Sequence, residues 1–326
     1  MAYATAKQIA ASDIPVVDVA PLADRGSEGV AAVAAELRRA AETVGFFYIR
    51  NHGIPQEQID RVLALARTFF LSPMEQKQLA RINARHRGFL SVGQAKMPGE
   101  PHPDLKESFV WGLEVPEDDQ DALAGNPMIG PNNWPAFLPA MADCFNAYYT
   151  AANECGRRLL QAFAVSLDLE PDHFVRSFEK PISRASVVYY PPQPPDLGID
   201  RFGVGPHTDY GCLTLVHQDS VGGLQVRGRD GDWIGARPIE GTLVVNVGDL
   251  LARWTNDRFA STPHRVVNTS GRERFSLAVF VDPDWATLIE PVVPPGGSPH
   301  YASVRCGDYI QGRYDQSFAY RGREGD

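Results

Sequence analysis

Apolar residues recur at three- and four-residue intervals through the first half of the chain, and in short runs or alternation through the second. Val30, Val33, Ala34, Leu37, Ala41 and Val44 fall on one helical face, and Gly45 follows as a stop. Residues 46–49 then read as a buried strand. A second helix is predicted after Pro55, with Ile59, Val62, Leu63, Ala66 and Phe69 on one side. A third should begin at Ser72, with Pro73 at the first helical position and Glu75 completing a capping box. A longer amphipathic helix runs from about 139 to 167, carrying Met141, Phe145, Tyr148, Ala152, Cys155, Leu159 and Phe163, and is expected to pack along a sheet.

The period changes after Pro181. Strand-like runs at 185–190, 212–217, 224–227, 242–247, 264–267 and 275–281 alternate with clusters of Gly, Pro, Asp and Asn. Strands this short at this spacing predict a barrel or a double-sheet jelly roll. The fold class is therefore mainly β with flanking helices (α+β), a jelly-roll core behind a helical N-terminal region. Residues 98–133, rich in Pro, Gly and acids, read as a long loop and a candidate lid. The expected parts are 1–110 (helix and strand), 111–180 (loop and long helix), 181–285 (jelly roll) and 286–326 (C-terminal extension).

Composition narrows the function classes. With 326 residues, 44% of them apolar, and a net charge of −9, the chain can bury a core. It has no basic stripe for a phosphate backbone, so nucleic acid is not expected as a partner. The N-terminal MAYATAKQIAASD lacks the apolar region of an export signal, and no stretch reaches a membrane span. A cytoplasmic location is the expectation. Cys144, Cys155, Cys212 and Cys306 lie far apart with no C-x-x-C pair, which reads as four reduced thiols. Nothing in the pattern specifies an oligomeric state.

Most of the eight histidines need no chemical role. His207 and Asp209 differ, because in G-P-H-T-D-Y they stand at i and i+2 and an extended backbone sends both side chains to one side. His264 opens a later strand after S-T-P. Two imidazoles and one carboxylate can hold one face of an octahedral ion and leave three positions for cosubstrate and O₂. Ten residues beyond His264, Arg274 and Ser276 in R-F-S again share a face, within the apolar run Leu277, Ala278, Val279 and Phe280. A guanidinium and a hydroxyl there suit the far carboxylate of a dicarboxylate whose 2-oxo acid end chelates the metal.

H-T-D, T-N-D-R-F-A-S-T-P-H-R-V and R-F-S, in this order, resemble the 2-oxoglutarate- and Fe(II)-dependent oxygenases, in the branch that includes isopenicillin N synthase and the plant flavonoid and gibberellin oxidases. The likeness extends to I-P-V-V-D-V, G-F-F-Y-I-R-N-H-G-I-P, V-V-Y-Y-P-P-Q-P and G-G-L-Q-V. It implies a double-stranded β-helix with Fe(II) on His207, Asp209 and His264, 2-oxoglutarate on Arg274 and Ser276, and Tyr190 supporting the cosubstrate. It also implies an enzyme that oxidises a small organic molecule with O₂ and releases succinate and CO₂. Val188 stands where family members often carry Asn, a departure that bears on the hydrogen bonding around 2-oxoglutarate rather than on the ion pair.

Two other readings follow from the same residues. R-x-S can hold a substrate carboxylate in an iron oxidase that needs no 2-oxoglutarate, and an inert ion such as zinc would make the triad a non-catalytic metal site. For the substrate itself, Phe280 lies on the face of Arg274 and Ser276, and Arg87 in R-H-R-G-F-L is the charged candidate from the N-terminal region. Together they point to a planar or apolar molecule with an anionic group.

Overall fold

The helices of the first half cover one face of a sheet that the second half completes. The structure is a computed structural model that describes residues 14–23, 27–193, 198 and 200–321, together with residues 4 and 6. Most of the N-terminal stretch compared above with an export signal lies outside the described residues. The first half contributes β1 (Val16–Asp18), α1 (Ser27–Thr43), β2 (Phe46–Arg50), α2 (Gln56–Phe70), α3 (Met74–Gln78), β3 (Gly88–Leu90), β4 (Glu107–Gly112), α4 (Gln120–Leu123) and α5 (Ala140–Ser166). The second half contributes β5 (Arg184–Tyr190), β6 (Val204–His207), β7 (Leu213–Gln218), β8 (Leu224–Arg227), β9 (Trp233–Gly235), β10 (Thr242–Val247), α6 (Asp249–Trp254), β11 (His264–Val266) and β12 (Arg274–Val281). A small hairpin of β13 (Leu288–Ile289) and β14 (Val304–Arg305) leads into α7 (Cys306–Ser317).

The large sheet runs β1-β2-β10-β7-β12-β5-β4-β3, and the small one β6-β11-β8-β9. Their inner faces share an apolar cluster that includes Tyr48, Val188, Val204, Val226, Val244 and Val266, which joins the two sheets into a jelly roll. The outer face of the large sheet packs on the helices. Phe47 and Ile49 of β2, Phe109 and Trp111 of β4, and Val187 of β5 meet Ile59 and Phe69 of α2 and Phe145, Leu159 and Phe163 of α5. At 27 residues, α5 is about 40 Å long, enough to cross several strands. α1 ends where predicted, because Gly45 takes φ +69 and its missing Cβ leaves room for the Ala260 carbonyl.

Two expectations are corrected. α3 has Pro73 rather than Ser72 at its N-cap, and the Ser72 hydroxyl donates to the Phe69 carbonyl, so no capping box forms. The 98–133 segment is not simply a loop: it holds the short α4 and the fully buried β4, which pairs with β5 from Glu107 opposite Tyr189 to Gly112 opposite Arg184. Glu107 made this stretch look polar, but it is neutralised by Lys77 at 2.7 Å in a buried ion pair. All four cysteines are buried and unpaired, and among the described residues no helix is long and apolar enough to cross a membrane.

Candidate active site

The two imidazoles come from neighbouring strands of the small sheet. His207 ends β6 and is the direct cross-strand partner of His264 at the start of β11, which places their rings 4.3 Å apart. Asp209 follows two residues after His207, and its carboxylate lies 3.6 Å from His207 Nε2 and 3.8 Å from His264 Nε2. Among the described residues these three form the only group of His, Cys, Asp or Glu side chains placed to share an ion.

The surroundings set the protonation state that a metal requires. His207 Nδ1 donates to the Gly205 carbonyl at 2.8 Å and His264 Nδ1 to the Thr262 carbonyl at 3.2 Å. Because a carbonyl can only accept, both protons are held on Nδ1 and both Nε2 lone pairs face Asp209. Burial and the neighbouring His207 push the His264 pKa down to about 4. Burial alone would raise the Asp209 pKa, but His264, His207 and the Thr214 hydroxyl outweigh it and hold the carboxyl well below its usual range. Near neutrality His264 is therefore a neutral imidazole beside an ionised Asp209 carboxylate.

Asp209 is aimed from the large sheet. Its Oδ2 accepts from Thr214 Oγ1 of β7 at 2.6 Å and from Asn246 Nδ2 of β10 at 2.8 Å. Asp249, at the start of α6, forms a second support. Its backbone N–H donates to the Asp209 carbonyl at 2.8 Å. Its carboxylate accepts from Thr208 at 3.0 Å, from Ser261 at 2.6 Å and from Arg313 of α7. Gly248 permits this approach, since a Cβ there would stand 2.3 Å from the Gly211 carbonyl. Sequence reading did not single out Thr214, Asn246 or Asp249. The signal available was a polar residue at an inward position of an apolar strand, in L-T-L-V and V-V-N-V, and the G-D pair that follows.

Arg274, Ser276, Ala278 and Phe280 line one cavity with all three members of the triad, as the two-residue strand period predicts. The cavity has a volume of about 90 Å³, smaller than the roughly 300–1,000 Å³ of a typical small-molecule site. Cross-strand register orders its wall. Arg274 faces Tyr190, Ser276 faces Val188, Ala278 faces Ser186 and Phe280 faces Arg184. On the other side of β12, Phe280 faces Thr214. The Arg274 end is thus remote from the triad along the strand, and the Phe280 end is beside it.

Arg274 is 1% exposed. Its Nε donates to the Gly222 carbonyl and its guanidinium carbon sits 4.5 Å from the Tyr190 ring centre, but Nη1 has no hydrogen-bond partner. A buried charged donor left in this state is unfavourable by more than the ordinary 1–3 kcal/mol or so of a neutral one, so that end of the cavity lacks an acceptor. Lys106, just before β4, also lines the cavity, with Nζ 3.2 Å from Asp104. Sequence reading missed it, because the strand that follows was hidden in the 98–133 segment.

Arg87 is not brought into this cavity. It is 1% exposed, and its guanidinium donates to the carbonyls of Arg85, His86 and Met128. The group lies where a Cβ of Gly112 would be, so it fills the gap over that glycine. The sequence made Arg87 the charged candidate for the substrate, and the missing side chain on β4 is what draws it over Gly112 instead.

Residues 14–137 match a family described as non-haem dioxygenase in morphine synthesis, N-terminal, and residues 182–283 match the 2OG-Fe(II) oxygenase superfamily. The chain is 35% identical to the 2-oxoglutarate-Fe(II) type oxidoreductase hxnY of Emericella nidulans, over 93% of this chain and 90% of that one. It is 30% identical to a homoarginine-6-hydroxylase of Glycine max, over 94% and 98%. A full-length Neurospora crassa protein crystallised in complex with alpha-KG superposes with a TM-score of 0.82 at 28% identity, covering 95% of this chain and 99% of that one.

Proposed function

Since this chain belongs to the family of 2-oxoglutarate- and Fe(II)-dependent oxygenases, we propose that His207, Asp209 and His264 hold its Fe(II), that Arg274, Ser276 and Tyr190 hold the far end of its 2-oxoglutarate, and that its substrate is a small planar molecule lying on Phe280. Bound iron and 2-oxoglutarate, with O₂, supply the oxidising power, as throughout the family. The protein supplies orientation, dryness and choice of substrate.

The unpartnered Arg274 Nη1 carries this reading, because it shares one cavity with three metal-competent side chains. A dicarboxylate spanning from the triad to Arg274 would give that donor its acceptor, with the Ser276 hydroxyl beside it. The Tyr190 ring, 4.5 Å from the guanidinium carbon, packs against it and leaves the N–H edge free for a carboxylate. Val188, which replaces the family Asn, faces Ser276 and adds an apolar wall there instead of a third donor. Val204, Val216, Leu224 and Val266 line the remainder and exclude water.

Phe280 supports a planar substrate: it lines the cavity at the triad end and is only half-buried. Structures of the Neurospora relative hold thymine and 5-formyluracil, both flat rings. A carbon of such a substrate, held beside the triad, would be the one hydroxylated or otherwise oxidised. The test is anaerobic titration with Fe(II) and 2-oxoglutarate, followed by succinate released per O₂ consumed in a substrate screen. One succinate per O₂ is expected. O₂ uptake with no succinate would overturn the 2-oxoglutarate assignment and favour an iron oxidase.

A further inference from the structure

One row of the inner sheet face leads sideways from the metal ligands. Thr214, which holds Asp209, is followed across the strands by Phe280, Arg184 and Gly112, each the register partner of the next. Residues directly opposite on paired strands point to the same side, so Arg184 shares the face of the cavity wall. It is 7% exposed, and its guanidinium lies 4.2 Å from the Phe280 ring centre and 4.2 Å from that of Tyr314 on α7.

Among the described residues no carboxylate lies within 4.0 Å of this guanidinium. Asp282 and Asp209 act on it only through space, and Asp282 spends its Oδ1 on the Cys212 N–H. A buried cation without a direct counter-ion is unfavourable, and here the ring contacts compensate it only in part. Two other cations near the wall have partners. Lys106 pairs with Asp104 and stands next to Glu107, whose strand partner is Tyr189, which puts it at the cosubstrate end. Arg87 donates to three carbonyls. Arg184 alone of the three combines a place beside the triad with an uncompensated charge.

Building on the function proposed above, we propose that Arg184 anchors the substrate. The edge of its guanidinium binds the carboxylate of a planar ring that lies against Phe280, next to His207, Asp209 and His264. The Phe280 and Tyr314 rings both stand 4.2 Å from the guanidinium carbon, which favours approach of a ligand along the N–H edge, where a carboxylate binds in bidentate fashion.

The test titrates the wild-type holoenzyme, loaded with Fe(II) and 2-oxoglutarate without O₂, with matched acids and amides: benzoate and benzamide, indole-3-carboxylate and its carboxamide. At least one acid is expected to bind about tenfold or more tightly than its amide. Arg184→Met should bring the pair within about twofold while leaving 2-oxoglutarate affinity unchanged, and Phe280→Leu should weaken both members alike. A brace that only holds α7 to the sheet would lower the melting temperature without touching the acid–amide ratio. Should Arg184→Met not fold, Arg184→Lys decides, since a point charge in place of the planar fork should cut the preference several-fold. Equal binding of acid and amide, no binding of any planar acid, or a ratio that survives substitution would overturn the proposal. Loss of 2-oxoglutarate binding by the wild type would instead overturn the function on which it rests.

Discussion

Replacing Asp249 with Asn isolates the support beneath the triad. The side chain keeps its shape, but one of two acceptor oxygens becomes a donor, so Thr208 and Arg313, or else Ser261, lose their acceptor. A hydrogen bond between charged groups contributes roughly 1.5–3 kcal/mol. The Arg313 and Asp249 side chains are 27% and 17% exposed, which lets solvent screen the pair. A stability loss of about 1–2 kcal/mol follows, or about 2–4 °C in Tm for each kcal/mol at most. The larger consequence should be at the metal. Thr208 sits between His207 and Asp209, and Ser261 lies three residues before His264, so the carboxylate ties the segments that carry all three ligands. Partners of this kind typically alter metal affinity by about 10–100-fold, and one acting through the backbone should fall near the lower figure. Anaerobic calorimetric titration with Fe(II), alongside thermal melting, reads both effects. Thr208→Val should reproduce most of the affinity loss, and Arg313→Met most of the melting shift. An Asp249→Asn protein that melts earlier yet binds Fe(II) as the wild type does would show that Asp249 only fastens α7.

Asp209→Ala, His207→Ala and His264→Ala should each abolish Fe(II) binding in calorimetry while retaining the wild-type circular dichroism spectrum, since three ligands leave no spare; full iron-dependent O₂ uptake by Asp209→Ala would refute the assignment. Arg274→Met should weaken 2-oxoglutarate binding by about one to two orders of magnitude and Ser276→Ala by less, and unchanged affinity in the arginine variant would return R-x-S to the substrate. Burial raises the Asp282 carboxyl from its ordinary 3.8 to about 6. A raised carboxyl favours the folded state while protonated, so this contribution is complete below pH 4 and lost as pH rises through 6. Asp282→Asn keeps an acceptor for the Cys212 N–H and should therefore gain up to about 3 kcal/mol on the wild type between pH 4 and pH 7. A melting difference between the two proteins that stays constant across that window would contradict the mechanism.

The parts of the fold that were legible are those whose signal is local. The faces of α1, α2 and α5 are periodic over four turns or more, and β5, β7, β8, β10, β11 and β12 are apolar runs bounded by turn residues, so their existence and type follow from the chain alone, whereas β6, β9, β13 and β14, two to four residues each, are too short to show a period. β4 was not legible because its polar residues are satisfied from elsewhere. Glu107 looks like a loop residue until Lys77 is brought to it, and the Trp111 indole looks like an exposed donor until α5 presents the Phe145 carbonyl at 3.1 Å. Burial on both faces also removes the alternation that marks a strand with one wet side. α3 failed for the opposite reason. Its capping pattern was present, but the Ser72 hydroxyl bonds backward to Phe69 and leaves the helix to start one residue later.

The same division runs through the site. His207 with Asp209, and Arg274 with Ser276, are pairs two residues apart, so strand geometry places each pair before any tertiary contact is known. His264 could be joined to them only by its context in a familiar stretch, and the structure supplies the physical link as a register match across β6 and β11. Phe280 follows by the same period along one strand, and it lines the same cavity. The step from Phe280 to a cation could not be taken the same way, because it runs across strands. Arg184 becomes its neighbour through the β5–β12 register, and Arg87 is drawn over Gly112 through the absence of a side chain on β4. A cation in a loop and a cation in an apolar strand look alike in a sequence. In the folded protein the first has three carbonyl acceptors, and the second has two rings and, among the described residues, no carboxylate within 4.0 Å. What a sequence withholds about a substrate pocket is therefore chiefly register, and the anchoring role proposed for Arg184 rests on a neighbourhood that register alone creates.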